Sequence, residues 1–143
     1  MDPERDDDVG LGRLSKSDEL AHEGAPAGDT APGELRASLA NAMVGLFKTY
    51  YGRGPTAAKA WLLDDYILVV LEGGLSRNEE TLLAAGKADV VRGYRLAFQE
   101  AVADTAIGAV QDLTGRRVAN YHSQIVFEPT RAFEIFVLEP QDG

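Results

Sequence analysis

The first regular pattern in the chain is a helical repeat of apolar residues over residues 34–50. Apolar positions recur there every three or four residues, which predicts an amphipathic helix with one buried stripe. The stripe consists of Leu35, Leu39, Ala42, Met43, Leu46, Phe47 and Tyr50. Pro32 and Gly33 stand before the predicted helix. Gly52 is placed to end it, because glycine readily adopts the left-handed conformation that closes a helix.

Two pairs of β-rich segments predict two antiparallel hairpins. The first pair covers residues 59–63 and 66–72, and Asp64 and Asp65 between them are typical of a tight turn. The second pair covers residues 118–127 and 132–139, with Pro129 in the connecting turn. The sequence therefore predicts four strands, two in each hairpin.

The segment between the hairpins has the pattern of two further helices. Residues 78–85 predict a short helix that begins at Ser76 or Asn78 and ends at Gly86. Residues 87–113 predict a long helix, which ends before Gly115. The apolar face of the long helix is broad, so we expect it to pack against more than one surface. Its members are Val90, Val91, Tyr94, Ala97, Phe98, Ala101, Val102, Ala109, Val110 and Leu113.

The order helix, strand, strand occurs twice, which predicts an α+β fold of the form αββ-αββ. Both halves have a Gly-Arg pair after the main helix and a last strand that ends in Leu-Glu, so an internal duplication is one interpretation. Two such units can form a four-stranded antiparallel sheet that packs with two main helices. In the last strand, residues that point to opposite faces are both apolar, and only Glu134 breaks the pattern. We therefore expect self-association through the sheet. The alternative is that the long helix and the short helix at residues 78–85 lie on opposite faces and cover the sheet twice within one chain.

The charge of the chain is concentrated at its N-terminal end. The formal net charge is -9, and residues 1–33 contain nine acidic and three basic residues, which leaves -3 for the remainder. This segment has few large apolar residues, so it is predicted to be a disordered acidic leader that precedes a single domain at residues 34–143. The clustered positive charge that nucleic-acid binding requires is not present in the sequence.

Composition narrows the class of protein further. The 143 residues include no cysteine, which excludes disulfides and thiolate metal sites and favours a cytoplasmic location. The sequence has no run of about 20 apolar residues and no basic, apolar signal peptide, so direct membrane insertion is not expected. His22 lies in the acidic leader and His122 in a predicted strand, so the sequence contains no pair of histidines that suggests a metal site. No metal, cofactor or catalytic residue is predicted.

Five arginines are the candidates for a binding site. They are Arg53, Arg92, Arg95, Arg116 and Arg117. If they converged, their guanidinium groups could bind an anion such as a carboxylate, bicarbonate or phosphate. The alternative is structural: arginines near helix ends offset the helix dipole, and arginines on a helix pair with neighbouring acids such as Asp89 and Glu100.

Several short motifs resemble the MpsC-like family, named for a membrane-potential-generating system. The motifs are Gly52-Arg53-Gly54-Pro55-Thr56, Leu71-Glu72-Gly73-Gly74-Leu75, Phe98-Gln99-Glu100, Leu113-Thr114-Gly115-Arg116 and Glu134-Ile135-Phe136-Val137-Leu138. The motif residues that the resemblance marks are Gly52, Arg53, Gly54, Pro55, Glu72, Gly73, Gly74 and Gly115. The chain departs from the family pattern at Glu128-Pro129 and at Tyr121-His122-Ser123.

The resemblance implies a soluble accessory to a membrane system that generates a membrane potential or takes up inorganic carbon. Three hypotheses remain open at this point. The first is a non-enzymatic, homo-oligomeric accessory or regulatory module with a possible membrane-protein partner. The second is a small-molecule or anion-binding protein that uses the arginines, and the third is an enzyme with an unrecognised site.

Overall fold

The computed structural model of the chain describes residues 32–141. The predicted acidic leader lies, apart from its last two residues, outside the described residues. In chain order the elements are α1 (Pro32–Tyr51), β1 (Ala57–Leu63), β2 (Tyr66–Glu72), α2 (Arg77–Ala84), α3 (Ala88–Thr114), β3 (Val118–Val126) and β4 (Arg131–Leu138). The predicted α+β order is confirmed, and the ends of the elements differ from the predictions by one or two residues. The duplication stays a prediction.

The largest difference in a helix end is at the start of α1. The prediction placed Pro32 and Gly33 before the helix, whereas both lie in its first turn, and Gly33 is buried. Proline suits this position, because the first turn of a helix has no internal acceptor for a backbone N–H. The short helix α2 starts after Ser76, which is the residue that caps it.

The four strands form one antiparallel sheet in the order β1-β2-β4-β3. Asp64 and Asp65 form the turn of the first hairpin, and the two hairpins join where β2 pairs with β4. Gly52 and Gly115 follow the two main helices in the left-handed conformation, with φ of 78° and 69°, as predicted. These caps turn the chain from each main helix towards its hairpin.

The core lies between one face of the sheet, here called the inner face, and the helices α1 and α3. The inner face contributes Ile67, Val69 and Phe136, whose exposed fraction is 0%, and Leu39 of α1 and Ala106 of α3 pack in the same cluster. A smaller cluster connects the segment around α2 to α3 and to the inner face. It contains Leu75, Val91 and Ile125, with Leu82, Leu83 and Phe127 against them. All three helices therefore pack on the inner side.

The opposite face of the sheet, here called the outer face, is apolar across three strands. Its apolar residues are Trp61, Leu63, Tyr66, Leu68, Val70, Phe133, Ile135 and Val137. None of them belongs to either core cluster. Leu63 is 59% exposed and Ile135 is 37% exposed, whereas the inner-face residues are buried. Within residues 32–141 no helix covers the outer face, so the alternative that α2 and α3 lie on opposite faces of the sheet is wrong, and burial of this face by self-association stays a prediction.

The long helix α3 also differs from its prediction. Its C-terminal half packs in the core through Val102, Ala106 and Val110. In its N-terminal half, Val90 and Tyr94 are 53% and 50% exposed. Within residues 32–141, only part of the broad apolar face of this helix is therefore buried, and the part that contains Val90 and Tyr94 is exposed.

Candidate functional site

A cavity of about 210 Å³ lies on the inner side, between the two main helices and the strands β3 and β4. Phe47 and Tyr51 line it from α1. The remaining lining residues are Arg92, Arg95, Leu96 and Gln99 of α3, Ser123, Gln124 and Ile125 of β3, and Ala132 and Glu134 of β4. Small-molecule sites in proteins are commonly concave and mostly apolar, with a few polar groups, and this cavity has that composition.

A buried ion pair stands at one side of the cavity. Arg95 donates from Nε to Oε2 of Glu79 at 2.5 Å and from Nη2 to Oε1 at 2.7 Å. The side chains of Arg95 and Glu79 are 7% and 4% exposed. The guanidinium carbon of Arg95 also lies 3.9 Å from the ring centroid of Tyr51, a cation–π contact. The orientation of Arg95 is thus set by α1, α2 and α3 together.

Glu79 also caps the helix that contains it. Ser76 accepts a hydrogen bond from the backbone N–H of Glu79, and the carboxylate of Glu79 accepts one from the backbone N–H of Ser76 at 2.8 Å. This capping box satisfies two N–H groups that lack helical partners. Burial acts to raise the pKa of Glu79, but the hydrogen bonds from Arg95 and Ser76 outweigh it, so the pKa lies below its ordinary value.

A second buried carboxyl group forms the floor of the cavity. Glu134 is 0% exposed, and its two oxygens accept hydrogen bonds from the hydroxyl groups of Tyr121 and Ser123, the latter at 2.7 Å. Burial raises the pKa of Glu134, although Ser123, Tyr121 and the charge of Arg95 act in the opposite direction. Within residues 32–141, no cation lies within salt-bridge distance of Glu134.

Two tyrosines complete the polar surroundings of this group. Burial and then the charge of Glu134 raise the pKa of Tyr121, whose ring stacks on Phe136 with centroids 4.6 Å apart. Burial raises the pKa of Tyr51 to about 12. Both phenols therefore keep their protons at neutral pH, and Tyr121 acts as a hydrogen-bond donor.

The structure brings two of the five candidate arginines together at the cavity. Arg92 and Arg95 both line it, and Arg92 bonds to Asp89 at 3.0 Å, as the structural interpretation proposed. Arg95 pairs with Glu79 and not with Glu100. Whether either arginine binds an anion stays a prediction.

The other three arginines lie elsewhere and contact acids or carbonyl groups. Arg53 donates to the carbonyl of Leu75 at 3.0 Å. Arg116 bonds to Asp65 at 2.5 Å and to the carbonyl of Glu139, which ties the first hairpin turn to the end of β4. Arg117 lies 3.9 Å from the carboxylate of Glu139. Arg116 and Arg117 are thus near the end of β4, whereas the cavity is near its start.

The glycine-rich motifs that suggested the family resemblance pack against one another. Thr56 donates its backbone N–H to the carbonyl of Glu72 at 2.8 Å. Gly74 has φ of +82°, and a Cβ built there would lie 3.0 Å from Cα of Pro55. The motif residues therefore form a junction between the end of α1 and the start of α2, in which glycine is required by both conformation and space.

Sequence reasoning missed Glu79, Glu134, Tyr121 and Ser123 as members of a site. The sequence pattern places Glu79 in the first turn of the short helix but gives no sign of its partner Arg95, which is 16 positions away in the chain. Glu134 was noted as a break in an apolar strand. The signal that could have identified this group is the hairpin register, which pairs Ser123 with Glu134 directly.

Three further comparisons bear on the identity of the chain. The family model described as "Na+-translocating membrane potential-generating system (MpsC)" matches residues 31–140, which is most of the chain. Comparison with curated proteins gives no match, and comparison with solved structures gives none either. Among the described residues, no helix is both long enough and apolar enough to cross a bilayer.

Proposed function

Because the chain belongs to the MpsC family, we propose that it is a non-enzymatic, cytoplasmic accessory module that works as a homo-oligomer beside a membrane-potential-generating system. The family name supplies the link to a Na⁺-translocating system, and the wider link to inorganic-carbon uptake remains part of the proposal. A membrane-protein partner would bring the module to the membrane. The observation that supports self-association is the outer face of the sheet.

The composition of the outer face supports a protein contact. Its middle row contains Trp61, Leu68 and Ile135, which are direct neighbours across three strands, and continues to His122 on β3. With about 3.3 Å per residue and about 4.8 Å between strands, three strands of about five residues give an apolar patch of roughly 240 Å². Its three apolar members carry no charge, so a second copy can cover them without removing water from a charged group.

A second copy of the chain is the occupant that this face favours. Leu68 of β2 and Ile135 of β4 are paired near the middle of the sheet. A two-fold axis near this pair would bring the same apolar rows of two sheets together, in the usual arrangement of homodimers. The area is smaller than the roughly 800 Å² that each partner contributes to a standard interface, so we expect association at tens of micromolar protein.

A different surface remains for the membrane-protein partner. On α3, Val90, Tyr94, Ala97 and Ala101 follow the spacing of one helical stripe, and all four are exposed. If the outer face is used by the second copy, this stripe is an apolar surface of residues 32–141 that is still accessible. It suits a helix of the partner, because apolar residues at this spacing pack against another helix.

The functional test is genetic complementation in a strain that lacks the gene. We expect its Na⁺-dependent membrane potential, measured with a voltage-sensitive dye, to fall and to be restored by the wild-type chain. Ile135→Asp should fail to restore it because the charge disrupts the outer face, while Thr105→Asp, a change on an exposed part of α3, should restore it. An unchanged potential in the deletion strain would overturn the accessory role.

A further inference from the structure

Two of the polar groups that line the cavity, Arg92 and Arg95, are cationic hydrogen-bond donors. Arg92 is at the rim, with a side chain 49% exposed, and its ion pair with Asp89, whose side chain is 99% exposed, is of the weak surface kind. Gln99 of the same helix adds a side-chain amide, which can donate or accept, to the lining. An entering acceptor group can therefore replace Asp89 as the partner of Arg92 at little cost.

Arg95 provides a second donor deeper in the cavity. Its Nε and Nη2 atoms bond to Glu79, and Nη2 also approaches the carbonyl of Gly74 at 3.4 Å. No hydrogen bond from its third nitrogen, Nη1, is found within residues 32–141. Because the pair with Glu79 and the contact with Tyr51 hold the guanidinium group in place, this donor is already oriented in the free protein.

The one carboxyl group in the lining does not compete for the same ligand. Glu134 has no exposed surface, and each of its oxygens already accepts a hydrogen bond. The lining thus contains two guanidinium groups, and its one carboxyl group already accepts hydrogen bonds at both oxygens, which favours an anion over a cation.

The walls of the cavity are mostly apolar, so they favour a ligand that has an apolar body. Phe47, Leu96, Ile125 and Ala132 surround the space with apolar atoms. The cavity measures about 210 Å³. An apolar cavity of about 150 Å³ holds benzene, so the present one suits a single ring with a short substituent. Simple inorganic anions would leave most of these walls in contact with water or with empty space.

We propose that the cavity binds a small organic carboxylate whose ring or branched apolar body lies against Phe47, Leu96 and Ile125, and whose carboxylate is held by Arg92 and Arg95. Guanidinium groups match the geometry of a carboxylate. The site is formed within one chain, so its occupancy does not depend on the outer face or on a membrane partner.

Three probes of similar size and different charge test the class of ligand. Calorimetric titration of the full chain at fixed ionic strength should show saturable one-to-one binding of benzoate. Benzamide should bind at least tenfold more weakly, since it lacks the charge, and benzylamine should bind least. Bicarbonate, an anion without an apolar body, should also bind at least tenfold more weakly than benzoate. Equal or tighter binding of benzylamine or bicarbonate, or no binding of benzoate, would overturn the proposal.

Two pairs of variants place the binding in the cavity. Leu96→Glu adds a negative charge at the rim and should weaken benzoate binding about tenfold, while Leu96→Gln, of the same size, should weaken it much less. Arg92→Gln should weaken it about tenfold, and Arg117→Gln, at the other end of the sheet, should leave it unchanged. Benzoate binding that is equal in all four variants would show that the anion binds elsewhere.

The binding test and the test of self-association can succeed or fail independently. A monomeric chain that binds benzoate would retain the cavity proposal and reject self-association. A dimer that binds none of the four probes would do the reverse.

Discussion

The carboxylate of Glu79 in α2 and the guanidinium of Arg95 in α3 form a two-bonded ion pair that is almost completely buried, with N–O distances of 2.5 and 2.7 Å. The same carboxylate caps α2 through the backbone N–H of Ser76. One side chain therefore fixes the start of a short helix, its attachment to the long helix and the orientation of an arginine in the cavity wall.

Loss of either member of this pair should destabilise the protein strongly. Glu79→Gln or Arg95→Met leaves one buried charge without a partner, which costs about 3–5 kcal/mol in the free energy of unfolding. The double variant contains neither charge and should cost much less than the sum of the two. Urea unfolding of the four proteins measures this coupling. Additive effects would contradict the account of a buried, mutually dependent pair.

Glu134 should make stability depend on pH in the direction opposite to Glu79. Its pKa is raised in the folded protein, so the folded state holds this proton more tightly than the unfolded state does. Its contribution to stability is therefore largest at acid pH and is lost as the pH rises through the folded-state pKa. Glu134→Gln removes that loss, and the stability of this variant relative to the wild type should increase from about pH 4.5 to about pH 7.5.

Urea unfolding at the two pH values measures this difference. Glu100→Gln, a change at an exposed position of α3, serves as the matched control and should show no comparable trend. A constant difference between Glu134→Gln and the wild type would contradict the raised pKa. Glu79 should act in the other direction, because its lowered pKa gives stability that is lost as the pH falls through the folded-state value.

Gly74 should be much less tolerant of alanine than Gly86. Both have a positive φ, +82° and +77°, so both substitutions incur a backbone cost on the order of 1 kcal/mol. Only at Gly74 would the new Cβ meet backbone atoms of Pro55, at 3.0 and 3.1 Å, whereas nothing lies within 4 Å at Gly86. Gly74→Ala should therefore cost a further 1–3 kcal/mol or so, as overpacking does. Equal thermal midpoints for the two variants would show that the glycine junction is not tightly packed.

The order of the elements could be predicted because its signals are local. Gly52 and Gly115 end the main helices, and Asp64 and Asp65 turn the first hairpin. Each of these signals acts over a few residues, so the sequence pattern contains it directly. The exposure of one side of α3 could not be predicted, because an apolar stripe is compatible with burial against the same chain or against a partner.

The candidate site depends on contacts between elements that are distant in sequence. Arg95 and Glu79 belong to different helices, and the hydrogen bond from Tyr121 to Glu134 crosses two strands. Composition and spacing identify such residues as polar but do not reveal that they meet. The five arginines show the opposite case. They have the same side-chain chemistry, but the fold places them in three separate locations.

The central claim, self-association through the outer face, is tested most directly by sedimentation equilibrium of the full chain at tens of micromolar. The account predicts a weight-average mass above 15.4 kDa that increases with concentration towards twice this value. It also predicts that Ile135→Asp shifts the protein towards the monomer, while Val90→Asp, the same kind of change at an exposed apolar position on α3, does not. A wild-type mass of 15.4 kDa at these concentrations would contradict the claim.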